Sequence, residues 1–334
     1  GVLDVKIGSL IVAATFGAAL FAEPAGACTR ILFDAGDGPL VGRSMDWTGD
    51  TGTDLWAFPA GMKRNGGVGP GSLTWTSRHG TVDGMNDAGL SANALYLANA
   101  DYGAALPRRK GQPALSIGAV VQYMLDSLSS VDAVVAAFEG DPYRIIAPKL
   151  PDGSAATAHF AVADATGDSA IIEYIDGKVV IHHGQQYTVM TNAPPYSEQL
   201  AIARYWDGVD GYEFAPGSPR SADRFARASF YDRHMRAIDG ERKSFAAVLA
   251  MTRSISIPYG LGSSAQKDSA STVWRTVADH GTKRYYFESV MRPSLIHVDM
   301  GRIDLSESGQ PMKIDLAGDS KLHGDVSSEF ERAT

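Results

Sequence analysis

A single cysteine, Cys28, occurs in 334 residues, so no disulfide can form within the chain. Its thiol is therefore incidental or kept for its reactivity, and its position decides between the two. Positive charge is scarce as well: 30 Lys and Arg stand against 38 Asp and Glu, a net charge of -8. That balance excludes the excess-positive footprint of a nucleic-acid-binding domain, and no nucleic-acid partner is expected. Long apolar runs are missing too, because the stretch from Leu10 to Ala22 falls short of the roughly 20 residues that cross a bilayer as a helix. The histidines show no metal-ligand spacing: His182 and His183 are neighbours at a strand end, and no two share one helical face, so no metal is expected. There is no Gly-x-Ser-x-Gly elbow to suggest an α/β-hydrolase serine. Gly260-Leu261-Gly262-Ser263-Ser264-Ala265 spells a dinucleotide fingerprint, but Pro258 interrupts the strand that should precede it and no βαβ unit follows. No cofactor is expected.

What is present begins at the other end of the apolar run. Residues 1–27 divide as a secretory leader does: one base at Lys6, the apolar stretch, Glu23-Pro24, then the small residues Ala25-Gly26-Ala27. Cleavage after Ala27 would leave Cys28 with a free α-amine, so that one residue carries both a nucleophile and a base. The expectation is a leader over 1–27 and one catalytic domain over 28–334, periplasmic or secreted, with no stable membrane insertion once the leader is gone. The non-enzymatic alternative is a lipoprotein or binding protein anchored through Cys28, although lipoprotein processing prefers a larger aliphatic residue where Ala25 stands.

Along the remaining chain, strands come in hairpins and helices in separate blocks. Thr29 to Phe33 and Leu40 to Met45 alternate around Ala35-Gly36-Asp37-Gly38 and predict a hairpin that starts at Cys28. From Asp46 to Gly71 the text is rich in Gly, Pro and aromatics, which predicts a long loop over a cavity. Strands follow from Leu73 to Leu97, broken by turn chemistry at Asp83-Gly84 and at Asn86-Asp87-Ala88-Gly89. Leu115 to Leu128 and Val131 to Phe138 have helical spacing, the second with Ser130 as cap. Ala158 to His183 reads as an antiparallel meander, and helices are expected over roughly Ser197 to Trp206, Asp223 to Ile238 and Ser244 to Ser254. Thr272 to Val277 and Arg284 to Glu288 form another hairpin, and the polar tail after Ser306 is expected to fray. The pattern favours α+β layering over parallel winding.

Thiol attack on a carbonyl needs a base, an oxyanion donor and a group that holds the base. The strand that pairs with the Cys28 strand returns Gly42-Arg43-Ser44-Met45-Asp46 beside the new N-terminus, placing Arg43 near the sulfur and Asp46 where it can accept bonds from the amine. The aromatic residues between Trp47 and Phe58 either belong to the core or line a pocket.

Five blocks taken together resemble a known family. Cys28-Thr29-Arg30, Gly42-Arg43-Ser44-Met45-Asp46-Trp47, Asp83-Gly84-Met85-Asn86-Asp87-Ala88-Gly89-Leu90, Met190-Thr191-Asn192-Ala193-Pro194 and Asp223-Arg224-Phe225-Ala226-Arg227 are similar, in order and spacing, to the choloylglycine hydrolase family, the bile salt hydrolases and penicillin V acylases. The resemblance implies a four-layer αββα N-terminal-nucleophile hydrolase sandwich of antiparallel sheets that hydrolyses an amide through a thioester without a cofactor. On the matching positions it implies Cys28 as nucleophile and, through its amine, base; Asp46 as orienter of that amine; Arg43 and Arg224 as stabilisers of charge around the sulfur; and Asn192 as a side-chain donor to the oxyanion. The position of Tyr96 is typically Asn in bile salt hydrolases, where its backbone amide completes the oxyanion hole, and a backbone donor survives the change. Tyr96 and a short segment between Asn192 and Arg224 resemble the Gram-negative branch, with its penicillin V acylases, some of which also act on acyl-homoserine lactones. Trp47, Trp56 and Tyr96 are then expected to wall a pocket for a phenoxyacetyl or fatty-acyl group. The alternative substrate is a conjugated bile salt, and family resemblance implies a homo-oligomer, a tetramer.

Overall fold

A computed structural model describes residues 27–333 except 35, 63–68, 78–79, 108–109, 150–152, 154, 210–214, 236–237, 239, 262–269, 293 and 317–320. All of the expected leader except Ala27 lies outside the described residues, as does most of the glycine-rich fingerprint.

In chain order the strands are β1 (Thr29–Asp34), β2 (Pro39–Trp47), β3 (Asp54–Phe58), β4 (Ser72–Ser77), β5 (Gly80–Asn86), β6 (Leu90–Tyr96), β7 (Ala114–Ser116), β8 (Arg144–Ile146), β9 (Ala158–Asp164), β10 (Ser169–Ile175), β11 (Lys178–His183), β12 (Val189–Thr191), β13 (Ser271–Asp279), β14 (Arg284–Ser289), β15 (Ile296–Asp299), β16 (Met312–Ile314), β17 (Gly324–Asp325) and β18 (Glu331–Arg332). The helices are α1 (Val120–Ser127), α2 (Val131–Phe138), α3 (Tyr196–Gly208), α4 (Ser221–His234) and α5 (Glu241–Ser254). One sheet runs β12-β1-β2-β13-β14-β15-β17 and the other β11-β10-β9-β6-β5-β4-β3-β16-β18. We call them the first and second sheet; β7 and β8 form a small parallel pair of their own.

Period-2 alternation builds the layers. In β9, Ala161 and Ala163 face the first sheet, while Phe160 and Val162 face α1 and α2 in a second core with Met124, Leu125, Val134 and Phe138. On the far side, α5 packs on β2 and β13 and α4 on β1 and β12. The result is the αββα sandwich that the resemblance implied.

Two glycines set how closely the helices seat. A Cβ on Gly42 would meet Thr252 Oγ1 and come within 2.8 Å of Val248 Cγ1 on α5. One on Gly84 would come within 2.6 Å of Leu125 Cδ1 on α1. Each glycine faces outward, so its chain neighbour, Arg43 or Asp83, faces into the space between the sheets.

The β1–β2 hairpin, the β9–β11 meander and the β13–β14 hairpin form as the sequence predicts. Ser130 accepts from the Ala133 N–H at the start of α2, as a cap should. Three expectations fail. Asp83-Gly84 is no turn but the middle of β5, and the chain reverses before Gly80, whose φ is 137°. The stretch from Asp46 to Gly71 contains β3, whose Leu55 and Ala57 are fully buried while Trp56 and Phe58 alternate outward. The tail does not fray throughout: β16 pairs with β3 and β18 with β16, closing that edge of the second sheet.

Candidate active site

Cys28 stands immediately before β1, 2% exposed, at the foot of the first sheet. The register Thr29↔Ser44 carries Cys28 opposite Met45, whose Sδ lies 3.6 Å from Sγ. Arg43 shares the inward face, and its Nη2 lies 3.8 Å from that sulfur. The same nitrogen donates to the Ala94 carbonyl at 2.9 Å, and the guanidinium lies over the Trp274 ring, 4.7 Å from its centroid. Arg43 thus reaches the sulfur, as the hairpin predicts.

A different set of groups surrounds the nitrogen of Cys28. Here that atom is the amide of the Ala27–Cys28 bond. Its N–H donates to Asn192 Oδ1, while the Ala27 N–H donates to the Asp46 carbonyl at 3.2 Å. Arg224, on α4, spans the strand end from the helix side. Its Nη1 donates to the Cys28 carbonyl at 2.8 Å and to Thr29 Oγ1, its Nη2 donates to Asn192 Oδ1 at 3.0 Å, and Nη1 lies 3.6 Å from Asp46 Oδ2. The contacts of Arg224 and Asp46 add detail to what was expected of them. Arg224 is hydrogen-bonded to the backbone of Cys28, and its charge favours the thiolate as well, after that of Arg43. The Asp46 carboxylate is occupied by Thr272 Oγ1 and by Ser44 Oγ at 3.4 Å, and the one N–H that Cys28 retains goes to Asn192.

The groups expected to receive an oxyanion meet at the edge of β6. Pairing with β5 stops at Asp83↔Asn93, so β6 runs on with a free edge that receives Arg43 at Ala94 and Asn192 Nδ2 at the Tyr96 carbonyl, 2.8 Å. On the other edge the Leu97 N–H reaches Thr157. Antiparallel alternation therefore turns the Tyr96 N–H toward the Asn192 side.

Asp83 is the residue that sequence reasoning missed. It is 1% exposed and receives four donors: Arg43 Nη1 at 3.4 Å and Thr276 Oγ1 at 2.8 Å on Oδ2, Asn93 Nδ2 at 3.0 Å and Tyr285 OH on Oδ1. An Asp-Gly pair signals a turn locally, and only the cross-strand partners show otherwise. Thr272, on the Asp46 carboxylate, left no signal in the sequence.

Burial sets the protonation pattern. It pushes the Cys28 thiol above its usual range, with Arg43 the largest opposing influence, so the sulfur is a neutral thiol while its nitrogen is an amide. Burial also pushes Asp46 up to about 6, against the pull of Arg224, the Thr272 hydrogen bond and Arg43. Asp83 is raised by burial as well, most opposed by Arg43.

Beside this centre lies a pocket of about 430 Å³, walled by Trp47, Tyr259, Trp274, Phe287 and Met291. Trp47 meets Tyr96 edge to face, with ring centroids 6.4 Å apart. Trp56 is not brought here: it points to the other face of the second sheet, stacks on Phe58 at 5.6 Å and lies under Lys313. A larger pocket of about 560 Å³, beside Tyr102, Tyr143 and Lys178, shares no residue with the Cys28 centre.

The family model for linear amide C–N hydrolases, choloylglycine hydrolase family, matches residues 28–315. A penicillin V acylase of Pectobacterium atrosepticum is 38% identical over 358 residues, covering 97% of this chain and 94% of that protein. The solved structure of penicillin V acylase from Agrobacterium tumefaciens superposes with a TM-score of 0.81 at 40% identity, over 92% of this chain and 98% of that one. A variant of conjugated bile acid hydrolase from Clostridium perfringens gives 0.73 at 17% identity, over 86% and 96%, a likeness of fold alone.

Proposed function

This chain belongs to the choloylglycine hydrolase family of linear amide C–N hydrolases, and from that footing we propose that it is a cysteine amidase with an N-terminal nucleophile. Its substrates are amides with an aromatic or fatty acyl group, penicillin V first and N-acyl-homoserine lactones second. The observation that carries the reading is Arg43 Nη2 at 3.8 Å from the buried Sγ of Cys28, with Asn192 against the nitrogen of the same residue.

Removal of residues 1–27 on export to the periplasm or beyond frees the α-amine, whose ordinary pKa is ~7.7 to 8.0. The amine takes the proton of Sγ, and the sulfur attacks the amide carbonyl. The oxyanion that forms is received by Asn192 Nδ2 and by the Tyr96 N–H on the free edge of β6. The amine then passes its proton to the leaving nitrogen, the C–N bond breaks, and a thioester remains. Water, deprotonated by the same amine, attacks that thioester; the C–S bond breaks, the acid departs and the thiol is restored. Arg43 favours the thiolate throughout. Asp46 accepts the additional hydrogens that the nitrogen gains on cleavage, and Arg224 keeps the Cys28 backbone in place. The aromatic pocket takes the acyl group, where a flat ring gains from Trp47, Trp274 and Tyr96. Assembly as a homo-oligomer, a tetramer, follows from kinship and is checked by mass in solution.

The experiment is intact-mass analysis of the exported protein, paired with turnover of penicillin V, a long-chain acyl-homoserine lactone and glycocholate. A terminus at Cys28 with penicillin V or the lactone turned over fastest is expected, together with loss of nearly all hydrolysis in Cys28→Ser. Glycocholate as the best substrate, or normal turnover by Cys28→Ser, would overturn the reading.

A further inference from the structure

We infer that Asp83 is a positioning residue for this reaction, holding the Arg43 guanidinium against the Cys28 sulfur. The inference rests on Cys28 being the nucleophile and adds a member to the centre that neither chain position nor kinship supplies.

Five strands from both sheets converge on this carboxylate. Arg43 comes from β2, Asn93 from β6, Thr276 from β13 and Tyr285 from β14, while Asp83 itself sits on the inner face of β5. Arg and Asn side chains can only donate through these nitrogens, and each oxygen of Asp83 has two donors, so an ionised carboxylate satisfies the whole set. The geometry matters because a guanidinium is planar. Once Nη1 is tied to Asp83 Oδ2, the direction of Nη2 is fixed, and it points at Sγ, at Met45 Sδ 3.3 Å away and at the Ala94 carbonyl. The Trp274 ring closes one face of the plane. Without Asp83, Nη1 would be a buried donor with no acceptor among the described residues, and the side chain would have reason to leave the sulfur.

Asp83 has two opposite effects on the thiol, and they make the inference testable. As an anion it weakens the pull of Arg43 on the sulfur; as an anchor it keeps that pull close. Arg43, Asp46 and Arg224 are the charged groups that face the thiol, while Arg43 and the Tyr285 phenol face Asp83. If Asp83 acts by its charge alone, its neutralisation makes the thiol more acidic. If it acts by holding Arg43, the thiol becomes less acidic.

The test uses enzyme that begins at Cys28. It measures kcat and KM for penicillin V and the pH midpoint for alkylation of Cys28 by iodoacetamide, in which the thiolate forms an S–C bond and iodide leaves. Asp83→Asn is expected to lower kcat ~100-fold, as a displaced catalytic group does, with KM little changed, and to move the midpoint up by about 1 unit. Combined with Arg43→Gln it should cost no more than Arg43→Gln alone, since two residues acting through one contact are not additive. An unchanged kcat, an additive double variant, or a midpoint that stays or moves to lower pH overturns the inference. Should Asp83→Asn fail to fold, Tyr285→Phe decides: it removes one donor from Asp83 and should shift kcat and midpoint in the same directions, and no shift in either overturns the inference. Wild-type turnover that survives complete alkylation of Cys28 would instead sink the nucleophile reading beneath it.

Discussion

Arg224 and Cys28, 196 positions apart, are joined by a 2.8 Å hydrogen bond from the guanidinium to the Cys28 carbonyl. The same fork holds Thr29 Oγ1, Asn192 Oδ1 and, through Nε, the Pro219 carbonyl. Lysine keeps the charge but has one point of attachment where arginine has several. Arg224→Lys is therefore expected to lose at least ~10-fold in kcat and to unfold at lower temperature, because polar groups of Cys28, Asn192 and Pro219 lose a buried donor. Steady-state kinetics and a thermal melt check both. Wild-type values in the two would show that the fork is dispensable.

Two groups should shape the acid side of the pH–rate profile: the Cys28 α-amine, which has to be neutral to take the thiol proton and ordinarily titrates at ~7.7 to 8.0, and, at lower pH, Asp46. Its carboxyl sits at about 6 while the Cys28 nitrogen is an amide. The working form is the carboxylate, so activity falls as pH drops through this range. Protonation of the α-amine adds positive charge nearby and moves the Asp46 limb below 6. The effect on stability has the opposite sign. A carboxyl whose folded value exceeds its unfolded one binds more protons when folded, so its contribution is fully present below about 4 and is lost as pH rises through about 6. An Asp46→Asn variant whose profile falls below pH 6 as steeply as that of the wild type would remove Asp46 from this role.

Two aromatic substitutions should part company. Tyr96→Ala keeps the backbone N–H on the β6 edge but removes the ring that meets Trp47, so KM for penicillin V should rise about 10-fold, equivalent to ~1.4 kcal/mol, with a smaller change in kcat. Trp56→Ala, on the opposite face of the second sheet, should leave both constants where they were. Equal losses in the two variants would mean that the acyl group sits elsewhere.

His280 predicts an acid-labile joint. It is 4% exposed, with Nδ1 2.9 Å from the Gly89 carbonyl and Nε2 3.1 Å from Ser91 Oγ, tying the β13–β14 turn to the β5–β6 turn. Burial is the main cause that lowers it to about 4. The unfolded chain then binds the extra proton between roughly pH 6.5 and 4, so stability is lost as pH falls through that window, by about 3 kcal/mol in full. Chemical denaturation of wild type and His280→Gln across these pH values should show the gap between them closing on acidification. A constant gap would refute the assignment.

Much of this was legible in the sequence because the signals were local. A turn with positive-φ glycines between alternating runs made β1 and β2, and Cys28, Arg43 and Asp46 follow from that hairpin alone. Asn192 and Arg224 needed kinship, since their contacts with Cys28 span 164 and 196 positions. What stayed hidden was decided by partners far away. Asp83-Gly84 has the chemistry of a turn, yet the glycine seats α1 and the aspartate meets Arg43. β3 was obscured by Gly49 and Gly52 before it and by Pro59 and Gly61 after it, although Leu55 and Ala57 alternate as a strand should. Trp56 is aromatic like Trp47 and close to it in sequence, and only the pleat of β3 shows that it points the other way.

The peptide link ahead of the sulfur is shut inside the folded, uncleaved chain, with Ala27 at 8% and Cys28 at 2% exposure. A protease that arrives late would find nothing to grip. On the proposed reading, the order of events is constrained: the cut that unveils the terminus comes while this strand end is still loose, or the end peels away from Asp46 and Asn192 to be cut.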